Sequence, residues 1–335
     1  MGTKLSTAKS HQRILLQSCI DGNVDVVKET VGSFLASYSH SNVGFVDVDP
    51  KLREYVNQAD EQGNNAMHGA VFAGNIEIVK YLYEDCGASL VLANNLGCFP
   101  LWLAAGYNRI QVLHYLFSML SDPQQELLRT NKTGDTCLVA AASRGNIEIC
   151  QIVMDNAKAM GVLNELMETT NAGGDSALSI AVAGGHSTLL DLILPYTSKT
   201  MINHPNHKGV TPLLVACERD DVGLCEKLLH NGASLDVTDT STGASPLAVA
   251  AFCGSDNVIE KLLLQQQPPL RLEQTNTNGC TPLWLAARSG RDKIVKLLLE
   301  AGADPCVANK DGLTPVDVAI KFKRESVMQL FKNMK

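Results

Sequence analysis

Aromatic residues are scarce. Phe, Tyr and Trp together make up 5% of the 335 residues, and only two are tryptophan. A core must therefore rest on Leu, Ile, Val and Ala, which the 45% hydrophobic content can supply. No run of about 18 apolar residues occurs, so no segment is expected to span a membrane. The first residues also lack the apolar stretch of a secretory signal. An excess of positive charge is missing too: 28 Lys and Arg stand against 35 Asp and Glu, a net charge of −7. That balance disfavours nucleic acid as the main partner, because phosphate binding needs a clustered cationic face. The ten cysteines include no CxxC pair. They read as free thiols packed as small hydrophobes in a reducing, cytoplasmic compartment, with a zinc site or a disulfide framework as the alternatives.

Catalytic signatures are equally thin. The glycines of "NNLGC" (94–98) and "TNAGGDSA" (170–177) are followed by no P-loop lysine and belong to no βαβ unit. "HPNH" sets His204 and His207 at a loose metal-like spacing, yet the spacing places no Cys or carboxylate beside them. Ser, His and Asp occur without the arrangement of a triad. The chain is read as not an enzyme, with no catalytic residue, cofactor or metal. A ligand pocket among the long segments at 118–170 is the enzyme or ligand-binding alternative.

What the sequence does hold is repetition. "TPLWLAARSG" at 281 matches segments starting at 65, 99, 136, 176, 211, 245 and 314, separated by 34, 37, 40, 35, 34, 36 and 33 residues. Two residues before each start sits a glycine: Gly63, Gly97, Gly134, Gly174, Gly209, Gly243, Gly279 and Gly312. Three before that glycine sits a turn former: Asp60, Asn94, Asn131, Asn171, Asn206, Thr240, Asn276 or Asn309. In "TPL" the threonine is placed to cap a helix and the proline to occupy its first turn. A second amphipathic run follows, as in "RDKIVKLLLEAG" (291–302), where Gly302 suits a left-handed helix stop.

A turn followed by two antiparallel helices every ~33 residues resembles the ankyrin repeat. The likeness is strongest in the copies at 99, 211, 245 and 281. His68 falls where ankyrins place the histidine of "TPLH", and Trp102 and Trp284 occupy the same place, where they are expected to wedge against adjoining helices. The resemblance implies an all-α ankyrin-repeat solenoid of helix–turn–helix units with β-hairpin fingers, elongated because each unit buries its apolar face only against its neighbours. About eight fingered repeats plus an N-terminal helix-pair cap are expected. The boundaries are a flexible N-terminus at 1–9, the helix-pair cap at 10–36, an irregular loop with a short helix at 37–56, and ankyrin repeats over 57–335 with a C-terminal cap at 309–335. Inserts are expected at 118–129, 157–170, 195–205 and 264–274, either disordered or forming a second contact surface.

The resemblance further implies a non-catalytic protein–protein scaffold, adaptor or complex subunit. Its partner would lie on the concave face lined by fingers and inner helices. On that mapping the partner-binding candidates are Phe72, Tyr107, Arg144, Arg219, Phe252 and Arg288 on the helices, and Leu96, Lys132, His207 and Lys208 on the fingers. Aromatics and arginines dominate binding hot spots, although Phe72 and Phe252 can also tuck between repeats. Arg144, Arg219 and Arg288 recur in one register, which suits an acidic segment on the partner. The alternative is a membrane-tethered adaptor: "MGTKLS" fits the N-myristoylation pattern, with Gly2 as acceptor.

Overall fold

The structure, a computed structural model, describes residues 2–38, 48–264 and 270–333, with side chains from residue 11 onward. Two compact units divide the chain, Met1–Ala172 and Gly173–Lys335.

Unit 1 opens with a helix pair, α1 (Gly2–Ile20) and α2 (Val24–Tyr38), and a short helix α3 (Pro50–Asn57). The backbone of 2–9, expected as a flexible terminus, is thus helical. Three fingered repeats follow: α4 (Ala66–Ala73) with α5 (Ile76–Lys80), α6 (Pro100–Gly106) with α7 (Ile110–Met119), and α9 (Cys137–Ala142) with α10 (Ile147–Ala159). Two inserts fold as extra helices. They are α8 (Pro123–Leu128), begun by an Asp122 cap, and α11 (Leu163–Glu168).

Unit 2 holds α12 (Ala177–Gly184) with α13 (Ser187–Ile193), an insert helix α14 (Lys199–Ile202), and α15 (Pro212–Glu218) with α16 (Val222–His230). It continues through α17 (Pro246–Cys253) with α18 (Asp256–Leu263), α19 (Pro282–Ser289) with α20 (Asp292–Glu300), and α21 (Pro315–Lys321) with α22 (Glu325–Lys332). In each unit the first helix of one repeat packs on the first helix of the next, as α4 does on α6 and α17 on α19. Fully buried alanines at the contact, Ala104, Ala141, Ala250 and Ala286 among them, allow this close approach. The fold is therefore all-α and repetitive.

Each finger is built by its own side chain. Asn94 Oδ1 accepts from the N–H groups of Leu96 (3.0 Å) and Cys98 (2.9 Å). Asp60, Asn131, Asn206, Asn276 and Asn309 repeat this pattern. The following glycine has positive φ in all eight fingers. A Cβ on Gly63 would also lie 2.5 Å from the backbone nitrogen of Asn95 in the next finger, so both angle and space require glycine there. The fingers are tight turns. Among the described residues no strand forms beyond isolated bridge residues at Thr170 and Ser176, where β-hairpins were expected.

One finger departs from the sequence reading. At 239–244 the turn acceptor is Asp239, not Thr240. The Asp239 carboxylate takes the N–H groups of Ser241 (2.8 Å) and Thr242 (3.3 Å) and both their hydroxyls. Its own N–H closes on Ala244, five residues on, where other fingers close on the fourth. An extra residue therefore bulges this turn, and Thr240 sits where an asparagine's neighbour would.

The caps follow the sequence. Thr136, Ser176, Thr211, Ser245, Thr281 and Thr314 each accept the N–H three residues on. Gly302 has φ +94°, and α20 ends with Gly302 and Ala303 donating back to Leu299 and Leu298.

Candidate functional site

Two kinds of side chain and a main-chain ladder join neighbouring repeats, and they determine what is left over for a partner. The first is the residue at the third helical position. His68 Nε2 lies 3.1 Å from the carbonyl oxygen of Cys98. Trp102 Nε1–H donates to Asp135 O at 3.1 Å, and Trp284 Nε1–H to Leu313 O at 3.0 Å. All three acceptors close the next finger. The tryptophans are thus hydrogen-bonded substitutes for a histidine, beyond the packing wedges expected of them. His68 Nδ1 takes part in the capping box of α4, 3.2 Å from the backbone nitrogen of Asn65 and 2.6 Å from its Oδ1. Burial lowers its pKa.

The second is the arginine after the first helix. Arg109 Nε–H donates to Phe72 O, Arg219 Nη1–H to Ala183 O and Arg324 Nε–H to Arg288 O, each at 2.9 Å. Each lies against a glycine of the preceding repeat, Gly74, Gly185 or Gly290, and Arg291 lies likewise against Gly254. Arg219, a sequence candidate for binding, thereby holds a place inside the repeat stack while its side chain stays exposed. The third is the finger ladder. In unit 1 the N–H groups of Asn95, Lys132 and Ala172 donate to Gln62, Leu96 and Thr133. His207 does the same to Gly173 in unit 2, and its ring lies over Gly174.

Against that framework the candidates separate. In unit 1 the rings of Phe72 and Tyr107 meet edge-on, 4.7 Å between centroids. The guanidinium of Arg144 lies 5.1 Å from the Tyr107 centroid. One candidate from each of three successive repeats is therefore in contact, with Phe72 41% exposed and Arg144 exposed at the end. Leu96, 67% exposed, and Lys132 stand on neighbouring fingers of the same unit. In unit 2, Phe252 is 50% exposed, and His207 and Lys208 are exposed finger tips. Arg288 is exposed and lies 6.0 Å from the Trp284 ring and 5.4 Å from that of Phe322. Phe322 is a neighbour that the sequence did not single out. Its signal was its place, eight residues past a repeat start, where Tyr107, Arg144 and Arg219 also stand.

Eight of the ten cysteines are buried free thiols, while Cys253 is half-buried and Cys306 exposed. Burial pushes Cys19, Cys86, Cys137 and Cys150 up to about 12, far from the thiolate needed for nucleophilic work. Cys98 and Cys280 take the finger position that is Asn64, Asp135 and Asp175 elsewhere. There the Asn309 amide reaches the Cys280 sulfur at 4.0 Å, just as Asn94 Nδ2–H donates to Asn64 Oδ1. Insert helix α8 carries a buried carboxylate, Glu126, paired with Arg129 Nη1 at 3.1 Å. Arg129 also donates to Val91 O (2.7 Å) and stacks 4.5 Å from the Phe99 ring centroid, so this insert is tied into the repeats. Gly2 is the first residue of α1. Among the described residues no helix is long and apolar enough to cross a membrane.

Repeated finger, paired helices and ladder define a class of protein, one whose units exist to stack and present a surface. Family comparison agrees: the model for three-copy ankyrin repeats matches overlapping spans from 101–204 to 247–335, and the single ankyrin repeat matches 62–95. The chain belongs to the ankyrin-repeat family. Ankyrin repeats generally mediate contacts between proteins and are a non-catalytic fold. Relatives include the ankyrin repeat and KH domain-containing protein mask-1 of Caenorhabditis elegans, 29% identical over 38% of this chain and 5% of that protein. The human transient receptor potential cation channel subfamily A member 1 is 26% identical over 83% of this chain and 24% of its own length. The putative ankyrin repeat protein YahD of Escherichia coli is 28% identical over 57% of this chain and 91% of that protein. The chain spans 5% to 31% of the length of the first curated relatives it matches.

Proposed function

We propose that the chain is a non-catalytic scaffold or adaptor that binds a protein partner through the ladder of Phe72, Tyr107 and Arg144 in unit 1. The observation that carries this reading is the contact itself: an exposed aromatic edge, a ring and a guanidinium, continuous across three repeats. Stacking of the repeats does not need these side chains, since Arg109, Trp102 and the finger bonds already join these repeats. Preformed aromatic and arginine surfaces lose little side-chain entropy on binding, which is why they dominate hot spots.

Capture of partners by the intact chain, with cross-linking to locate the contacts, tests this reading. Tyr107→Ala with Arg144→Ala is expected to weaken capture of the partner at least tenfold, about 1.4 kcal/mol, with unchanged helical circular dichroism. Undiminished capture by the folded double variant would remove the assignment to this ladder. The Gly2 acylation motif supports a second, membrane-tethered form of the same adaptor, decided by the intact mass of the protein from its native cell.

A further inference from the structure

We infer that unit 2 carries a separate docking site for an acidic protein segment, formed where the last two repeats turn from first helix to second. This rests on the scaffold reading but uses other residues. Arg288 and Lys321 lie in the last turns of α19 and α21, Arg291, Lys323 and Arg324 lie in the turns that follow, and all five are exposed. Among the described residues none of the five pairs with a carboxylate. The nearby Lys293, by contrast, reaches Glu260 at 2.8 Å. Asp292 and Glu325, next in sequence, sit in the first turns of α20 and α22. The Arg288 guanidinium lies within 6.0 Å of the ring centroids of both Trp284 and Phe322, and Arg324 donates its Nε–H to Arg288 O. Both cations are therefore oriented before any partner arrives. Phe322, 42% exposed, adds an apolar contact between Lys321 and Lys323.

Backbone conformation makes an independent argument. Nine residues past every repeat start, the chain passes through positive φ. Gly74, Gly145, Gly185, Gly254 and Gly290 occupy this position, with Asn108 and Asp220 in two further repeats. In the last repeat it is Lys323, φ +54°. Gly tolerates this conformation, and Asn and Asp do so better than most residues, whereas a lysine is strained there. The turn is needed in every repeat, but here a lysine makes it where glycine would do so without strain, which points to use of the cation.

Charge distribution decides the occupant. Residues 288–335 hold ten Lys and Arg against six Asp and Glu, while 173–287 of the same unit hold six against eleven. An extended polyanion or a membrane surface would also face that acidic remainder. A short acidic segment meets the cationic turns alone, within the roughly 10 Å over which salt leaves charge unscreened.

Fluorescence polarisation of the full chain with a labelled octaglutamate peptide tests the site, with octalysine as control. Octaglutamate is expected to bind and octalysine not, with affinity falling at least tenfold between 50 and 500 mM salt. Lys321→Glu with Arg288→Ala should lower affinity at least tenfold. Lys323→Gly should lower it about threefold while raising the unfolding midpoint, so that its loss of binding is not misfolding. Tyr107→Ala should leave octaglutamate binding unchanged, which separates this site from the unit 1 ladder. No binding of octaglutamate, or binding indifferent to these unit 2 changes, would overturn the inference. Tighter binding to single-stranded DNA or to phosphatidylserine vesicles would overturn it in favour of those anions.

Discussion

Arg109 donates its Nε–H to the main-chain oxygen of Phe72 across 2.9 Å, and the path of its side chain runs over Gly74. Glycine and arginine lie 35 positions apart in neighbouring repeats, so they act as one device. The glycine ends α4 with φ +80° and leaves the surface bare; the arginine covers it and satisfies a carbonyl at the helix end. The same device recurs with Arg219 over Gly185 and Arg324 over Gly290.

Gly74→Ala is therefore expected to destabilise by about 2 to 3 kcal/mol. Left-handed backbone costs a β-carbon residue about 1–2 kcal/mol. In addition, the new Cβ would lie 2.6 Å from Arg109 Cδ, displacing a bond whose net worth is about 1 kcal/mol. Urea unfolding of Gly74→Ala beside Arg109→Ala measures both terms. Equal stability of Gly74→Ala and the parent would show that neither operates.

Asp239 and Thr240 make a sharp pair because sequence and structure assign the turn differently. Asp239→Ala removes the acceptor of two amides and two hydroxyls and should cost about 1 to 2 kcal/mol. Thr240→Ala should stay within about 0.5 kcal/mol, as an exposed substitution does. Thermal unfolding of the two variants checks the ranking, and a larger loss for Thr240→Ala would reverse the assignment.

His68 ties stability to pH. Burial lowers its folded pKa below the ordinary 6.5 of the unfolded chain. As pH falls below 6.5 the unfolded chain takes up a proton first, so this contribution is whole above 6.5 and declines below it, until the folded pKa is reached. The decline is at most about 1.4 kcal/mol per pH unit. His68→Gln keeps a donor for Cys98 O and removes the titration. It should therefore lose less stability than the parent between pH 7.5 and 5.5, measured by urea unfolding. Parallel pH curves would mean that His68 does not contribute.

How much of this was legible follows from where each signal resides. Finger asparagines, their glycines and the Thr–Pro caps act on their own backbone within a few residues, so each repeat announces them. The slip at Thr240 arose because Gly243 keeps the register while the turn before it has gained a residue. The repeat-joining bond of Arg219, a partner-binding candidate by position, is invisible in the sequence because its acceptor, Ala183 O, lies in another repeat. The tryptophan bonds were hidden likewise: Asp135 and Leu313 offer carbonyls, which every residue has. Candidates Phe72, Tyr107 and Arg144 were found by position, yet only the structure shows that they touch. The inserts, expected to be irregular, carry a legible signal of their own, since Asp122 before Pro123 and Ser198 before Lys199 are helix starts.

Lys323 offers the cleanest contrast between stability and use. Its φ of +54° is a conformation that five other repeats give to glycine. Lys323→Gly should stabilise unit 2 by about 0.5 to 1 kcal/mol, the relief of left-handed strain being partly offset by the greater freedom of glycine in the unfolded chain. The reciprocal change, Gly290→Lys, should destabilise by more, since a Cβ there would also lie 2.9 Å from Arg324 Cδ. Urea unfolding of the two variants reads both signs. A chain made more stable by losing a lysine, yet weaker in holding an anion, would show that the strain serves binding. A loss of stability in Lys323→Gly would instead mean that the lysine is held by packing, and the conformational argument for the unit 2 site would fall.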